Sequence, residues 1–265
     1  MSEPRLTAVV PFRGAGDADR TQNLATVLAW LSSMPIQVVL SEQSEQASAL
    51  VPPGIAHVWS ASSAPFSKAV ACNEGVLASR SSVVALVDAD TMVRSRALLT
   101  SAQLIRLSAS AQPVAAIRPF GQLIDLDRDQ SARVHDTGAL PGEGVGPGDM
   151  SRRWEHIPLA GGILVIERSA YLDVGGMDEA FSGWGGEDDA FSRILERCDV
   201  PSRKLTSETA YHLWHSRPGE KRYGHPNYAR NFARAQWWRE CPDPEFAAAI
   251  QHARDRLRER DVETS

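Results

Sequence analysis

The sequence predicts an α/β fold built on a mostly parallel sheet. Short apolar runs alternate with stretches of helical spacing over the first half of the chain, the pattern of strand–helix–strand units. One such run, Val83–Val87, is β-branched and stops at Asp88, as a buried strand does at the ligand-facing edge of a parallel sheet. The 265 residues suffice for one large domain with a sizeable core, and no internal repeat divides them.

Taken in order, Leu6–Phe12 is a buried strand, closed by the Pro11 and Arg13 neighbourhood. Arg20–Met34 carries Leu24, Val27, Leu28 and Leu31 at helical spacing and stops before Pro35. Ile36–Leu40 and Ile55–Trp59 are strands, Ser67–Arg80 a helix, Ser95–Ser108 another helix, and Val114–Ile117 another strand. Gly121–Trp154 then changes character. It is rich in Gly, Asp and Pro and reads as a long loop, either acceptor-side (with His135 and Trp154) or a disordered insertion. Gly161–Ile166 is a strand, and Arg168–Val174 a short helix ended by Gly175-Gly176. Glu187–Arg197 is a helix, and Lys204–Trp214 holds strand-like runs. Ser216–Asn227 is a polar loop. Tyr228–Glu240 and Pro244–Arg260 are helices, the last with an apolar stripe of Phe246, Ile250, Ala253 and Leu257.

A net charge of −5 argues against a nucleic-acid partner, and the Arg-rich face of the last helix reads as solvated. No apolar run approaches the roughly 20 residues of a membrane helix. The start, MSEPRLTAVVPF, reads as lacking a signal peptide. Three widely spaced cysteines, Cys72, Cys198 and Cys241, fit reduced thiols and a cytoplasmic location.

Three patterns carry chemistry. Asp88-Ala89-Asp90 follows the buried strand directly, and hard carboxylate oxygens suit Mg²⁺ or Mn²⁺ on a nucleotide diphosphate. Three other D-x-D triplets (Asp17/Asp19, Asp125/Asp127 and Asp127/Asp129) do not end a buried strand in this reading; the alternative for Asp88/Asp90 is a plain turn with helix-capping aspartates. His212-Leu213-Trp214-His215 puts two imidazoles three residues apart. They are either surface histidines or, with an aspartate, a mixed N/O site favouring Mn²⁺ over Mg²⁺. Gly183-Trp184-Gly185-Gly186-Glu187-Asp188-Asp189 joins backbone freedom, a flat indole and three acids at a helix start. A carboxylate held there beside a hydroxyl acts as a general base; the plainer alternative is a glycine turn before an acidic helix.

The stretch AGGILVIERSAYLDVGGMDEAFSGWGGEDDAFSRI, Ala160 to Ile194, resembles the C-terminal half of the β-1,4-galactosyltransferase family. It is also similar to polypeptide N-acetylgalactosaminyltransferases and bacterial chondroitin-polymerase domains. Pro11-Phe12-Arg13 resembles the family's PFR, Phe66-Ser67-Lys68-Ala69 its F-N-R-A element, Asp88-Ala89-Asp90 its D-V-D, and His215-Ser216-Arg217 its metal-binding His element. These motifs follow family order over about residues 6–235.

The resemblance implies a GT-A fold: a Rossmann-like, mostly parallel sheet with helices on both faces and an acceptor-side subdomain. It divides the chain into a domain over 1–241, with a nucleotide-binding half (6–120) and an acceptor half (121–241), and a C-terminal helix (242–265). It implies that Pro11, Phe12 and Arg13 contact uridine and that Lys68 approaches the donor phosphate or sugar. Asp88, Ala89 and Gly162 belong to the donor side. Asp90, His212 and His215 hold Mn²⁺, with Mg²⁺ the second choice. Trp184 lines donor and acceptor, Gly185, Gly186 and Glu187 the acceptor, and Asp188 is the base. The loop over 216–227 closes over the donor.

Three departures stand out. Lys68 replaces an Arg, His212 stands where animal enzymes commonly have a Met, and Leu159 stands where many galactosyl-transferring members have a Tyr. Leu159 leaves room for an N-acetyl group. The expected activity is inverting transfer of galactose or an N-acetylhexosamine from a UDP-sugar to the hydroxyl of a glycan, a peptide or a small natural product. A retaining N-acetylgalactosaminyltransferase-like enzyme is disfavoured by a carboxylate at 188. A non-catalytic sugar-nucleotide or glycan-binding homologue is disfavoured by the intact set of acids and histidines.

Overall fold

The structure is a computed structural model and describes residues 6–14, 16–47, 51–108, 112–142, 152–154, 157–183, 185–216 and 226–263. Its main sheet has seven strands: β1 (Thr7–Phe12), β2 (Gln37–Ser44), β3 (Ala56–Ala61), β4 (Val83–Val87), β6 (Ala116–Arg118), β9 (Ile163–Glu167) and β10 (Ser202–Lys204). Their order is β10-β6-β9-β4-β1-β2-β3. All neighbours are parallel except β9, which runs antiparallel to β4 and β6. A smaller sheet follows the order β5-β11-β7-β8, built from β5 (Thr91–Val93), β7 (Gln122–Asp125), β8 (Arg152–Trp154) and β11 (Thr209–His212).

Period-2 alternation in the central strands feeds two cores. On one face Ala8 and Val10 of β1 and Val83, Ala85 and Val87 of β4 pack beneath α1 (Ala18–Ser32), α3 (Ser95–Arg106) and α4 (Arg128–Thr137). On the other, Val9, Val84 and Leu86 pack beneath α2 (Lys68–Leu77), α5 (Arg168–Asp173), α6 (Glu187–Arg197), α7 (Pro226–Glu240) and α8 (Asp243–Glu263). Helices thus cover both faces, as the sequence predicts. Cys72 and Trp238 are buried in the second core, and so are Phe246, Ile250 and Leu257 of α8's apolar stripe. No described helix is long and apolar enough to cross a membrane.

The long loop expected over 121–154 is not one loop. β7 and α4 occupy its first half, and β8 closes it. Helix α4 leaves no apolar period in the sequence because it is polar, burying only Gln130, Ser131 and Val134. Its start carries a capping box: Asp127 accepts from Gln130 N–H (2.7 Å), and the Gln130 side chain accepts from Asp127 N–H (3.1 Å). His135 is not on an acceptor-side loop. It lies on α4 with Nδ1 2.8 Å from Thr26 Oγ1 of α1.

Candidate active site

Strand β4 ends at Val87, and Asp88 donates its N–H to the Gly162 carbonyl (2.9 Å). The Thr91 N–H returns to the Asp88 carbonyl (3.0 Å), so Asp88-Ala89-Asp90 is a tight turn leading from the main sheet into β5 of the small one. Gly162 has φ +78°, and a side chain there would press on Thr91. The glycine keeps β9 close against this turn.

The small sheet aligns the metal-type ligands. Across its strands Thr91 of β5, His212 of β11 and Asp125 of β7 stand in one register row. Beyond β11, Leu213 N–H donates to the Asp90 carbonyl (2.7 Å). His212 Nε2 then lies 3.5 Å from Asp90 Oδ1, and His215 Nε2 lies 3.4 Å from Asp90 Oδ2. One ligand atom from each of the three residues falls within 4.8 Å of the others. His215 is 4% exposed, so this pair is not a surface one.

This donor set fits a divalent cation. The Ser216 carbonyl accepts from His215 Nδ1 (2.8 Å), which leaves the Nε2 lone pair of the neutral ring facing Asp90. Separations of 3.4 and 3.5 Å are long for charge-assisted hydrogen bonds. They approach the spacing of ligands held about 2.1 Å from a small cation. Burial would raise the Asp90 carboxyl, but the positive charge that His212 and His215 carry when protonated outweighs it and holds Asp90 well below the usual carboxylate range.

Three residues beyond the expected set hold the histidine turn. Asn23 of α1 donates to the Trp214 carbonyl (3.1 Å), Ser131 of α4 accepts from Trp214 N–H (2.7 Å), and the Arg128 guanidinium lies 4.0 Å from the Trp214 ring centroid. Nothing in their local sequence marks them, because each acts across a long chain separation. Asp17 caps α1 and accepts from Ser216 (3.1 Å), which explains the Asp17/Asp19 triplet as a cap.

The second group of acids surrounds Lys68, the first residue of α2. Its ammonium bridges Asp88 Oδ1 (2.6 Å) and Asp188 (2.9 and 3.1 Å to the two oxygens). Ser67 caps α2 by accepting from Val70 N–H, and its own N–H donates to Gln43 Oε1 at the end of β2 (2.7 Å). Gly185 and Gly186, at φ +102° and +91°, swing the chain into α6, where Glu187 and Asp188 form the first turn. The Gly183 N–H donates to the Phe66 carbonyl (2.7 Å), tying that turn to the start of α2. Trp184 lies outside the described residues, as do Arg217 and most of the loop over 216–227.

Electrostatics in this group are one-sided. Burial raises the Asp188 carboxyl; Lys68 opposes that, Glu187 and Asp88 reinforce it, and the result stands at about 8. Burial likewise raises Glu187 and Asp88 against the pull of Lys68. Burial works against charge on Lys68, but Asp188, Asp88 and Glu187 outweigh it and keep the ammonium protonated. Glu187 Oε2 is buried without a hydrogen-bond partner.

Pro11 and Phe12 end β1 and are buried, and Arg13 donates to the Ala64 carbonyl. A cavity of about 110 Å³ borders Gly185 and Gly186, with Asp189, Tyr228, Phe232 and Gln236 in its wall. A slightly larger one, about 130 Å³, lies among α5, α7 and α8. No expected site residue lines it. Its Arg234, Arg256 and Arg260 are matched by Asp178 and Glu179.

A main sheet carrying an acidic turn after β4, and a small sheet carrying paired histidines, make this a GT-A fold, the fold of nucleotide-sugar-dependent glycosyltransferases. The family model described as the N-terminal domain of galactosyltransferase matches residues 150–216, the stretch that holds Gly162, Gly185–Asp188 and both histidines. The chain is β-1,4-galactosyltransferase-like in that segment. No curated protein matches the sequence significantly. Three solved structures share the fold. A Drosophila β-1,4-galactosyltransferase 7 mutant, in complex with manganese, UDP-Gal and xylobiose, has TM-score 0.52 and 15% identity over 90% of this chain and 80% of that one. GalNAc-T7 with UDP, GalNAc and Mn²⁺ has TM-score 0.53 and 14% identity over 88% and 47%. The Pyrobaculum calidifontis mannosyltransferase PcManGT, with GDP-Man and Mn²⁺, has TM-score 0.51 and 16% identity over 99% and 74%.

Proposed function

We propose that this chain is a metal-dependent, inverting glycosyltransferase that moves galactose or an N-acetylhexosamine from a UDP-sugar to an acceptor hydroxyl. The observation that carries the reading is the division of its acids. Asp90 joins two imidazoles as a ligand set, while Asp188, Glu187 and Asp88 crowd one ammonium, and the Asp88–Asp90 turn links the two groups. The family likeness over residues 150–216 supports the galactosyl-type donor.

Asp90, His212 and His215 would hold Mn²⁺, which supplies positive charge to the leaving diphosphate. Pro11, Phe12 and Arg13 line the nucleotide side, with Asp88, Ala89 and Gly162 near the donor. Gly185 and Gly186 would face the sugar and acceptor, and the resemblance alone assigns Trp184 to the same side. Glu187, whose buried Oε2 has no hydrogen-bond partner within the protein, would take an acceptor hydroxyl. Asp188 removes the proton as the acceptor oxygen bonds to the anomeric carbon and the bond to the diphosphate breaks. Such a base contributes about 10²–10⁴-fold.

Transfer and hydrolysis assays with UDP-Gal, UDP-GalNAc, UDP-GlcNAc and UDP-Glc, with and without Mn²⁺, identify the donor. Asp188→Asn is expected to bind UDP normally and to lose at least about 10²-fold in turnover. Near-native turnover of that variant removes Asp188 as base, and a first-formed product with retained anomeric coupling in proton NMR removes inversion.

A further inference from the structure

Asp125 belongs to none of the groups the sequence marks for chemistry, yet it is placed against one of the histidines. Strand β7 pairs with β11 in parallel, and the register sets Asp125 beside His212 and Gln122 beside Thr209. The Gln122–Thr209 side-chain hydrogen bond (2.9 Å) and the Leu126 N–H to His212 carbonyl bond (2.9 Å) lock that register from both sides of the pair. Because side chains alternate along a strand, paired residues share a face. Asp125 Oδ1 therefore lies 3.4 Å from His212 Nδ1. Asp125 is 5% exposed, and His212 Nδ1 is sealed from solvent.

We infer that Asp125 is a positioning residue for the metal site: it holds the His212 imidazole with Nδ1–H toward its carboxylate, and so presents the Nε2 lone pair to the cation beside Asp90. This rests on the proposed metal site. The physical need is specific to this ring. A neutral imidazole offers one lone pair, and only the tautomer protonated at Nδ1 offers it from Nε2. Nε2 is the nitrogen that faces Asp90. His215 solves the same problem with the Ser216 carbonyl. For His212 the facing acceptor is the Asp125 carboxylate, at an ion-pair separation of 3.4 Å that would have to shorten when a cation is bound to become a hydrogen bond; it would then raise the ring's basicity as a ligand. A thioether ligand at position 212 would give Asp125 nothing to orient.

The test uses Mn²⁺ alone with the full chain, followed by calorimetry and by the free-ion EPR signal, so no donor or turnover is involved. Asp125→Leu removes the acceptor at similar volume and is expected to weaken Mn²⁺ binding about 10–100-fold. Asp125→Asn, which keeps a neutral carbonyl, falls between it and wild type. In a His212→Met background Asp125→Leu is expected to cost nothing further. A purely structural role for Asp125, such as holding β7 against β8, would give the same loss in both backgrounds and overturns the inference. So does unchanged affinity in Asp125→Leu. Long-range ¹H–¹⁵N spectra of the wild-type imidazoles decide independently of whether any variant folds. A His212 ring protonated at Nδ1 is expected, and one protonated at Nε2 overturns the assignment. His215→Ala and Asp90→Asn separate the two levels: if neither weakens Mn²⁺ binding, the metal site itself fails; if both do and Asp125→Leu does not, only the role of Asp125 fails.

Discussion

Asp188 owes its chemistry to neighbours that act in opposite directions. Burial and the carboxylates of Glu187 and Asp88 push its proton affinity up, and Lys68 at 2.9 Å pulls it down, leaving a value of about 8. A base works only when ionised, and the ionised fraction of an acid grows as pH rises. The kcat/KM of the enzyme is therefore expected to rise about tenfold per pH unit below about 8 and to level off above it. Lys68→Met withdraws the charge that opposes protonation, so the limb moves to higher pH; a limb that stays in place removes Lys68 as the tuning group. Stability runs the other way. The folded pKa exceeds the unfolded one, so protonation of Asp188 contributes fully below about pH 4 and is lost as pH rises through about 8. Denaturant titrations of Asp188→Asn between pH 5 and 9 are expected to show a shallower pH dependence than wild type.

At the scale of single elements, the two halves of Asp125-Leu126-Asp127 do unrelated work. Asp125 faces His212 from the end of β7, and Asp127 caps α4. Asp127→Ala is expected to cost about 1 kcal/mol of stability, read from the shift in denaturation midpoint, and to leave Mn²⁺ affinity unchanged. Mn²⁺ affinity that falls with it would mean that α4 carries the site through Ser131 and Trp214 more rigidly than one cap accounts for. This triplet also marks where sequence reasoning stops. Val83–Val87 and Glu187–Arg197 are legible because five buried residues in a row, or a glycine turn followed by three acids, need no distant partner to be recognised. The Asp88–Asp90 turn, the two histidines and the Glu187-Asp188 pair are legible for the same reason. Strands β5 and β7, of three and four residues, are too short for a period to show, and α4 hides a small buried stripe in a polar sequence. Asp125, Asn23 and Ser131 gain their partners only when β7, α1 and α4 close on the His212–His215 turn. Nothing in the four residues on either side of them encodes that.

Over the whole molecule, the cation ligands and the bulk of one core stand on different supports. The cation ligands hang on the small sheet and the turn after β4, whereas α8 is bound into the core on the far face of the main sheet. Leu257 is 2% exposed there, against Gly176, and Arg260 ties α8 to Glu74 of α2 and to Glu179. We expect α8 to be part of the domain's stability and not an appendage to a domain ending at residue 241. Leu257→Ala removes methyl groups buried against Gly176, so about 2–5 kcal/mol is expected to be lost in chemical denaturation as one cooperative transition. The folded fraction should still bind Mn²⁺ with wild-type affinity, because no ligand rests on α8. A loss under about 1 kcal/mol, or an early transition confined to part of the signal, would make 242–265 a separable helix. Lowered Mn²⁺ affinity in the folded variant would instead mean that the two cores are coupled through α2. Lys68 opens that helix, and Cys72 and Val76 bury it in the same cluster as Leu257.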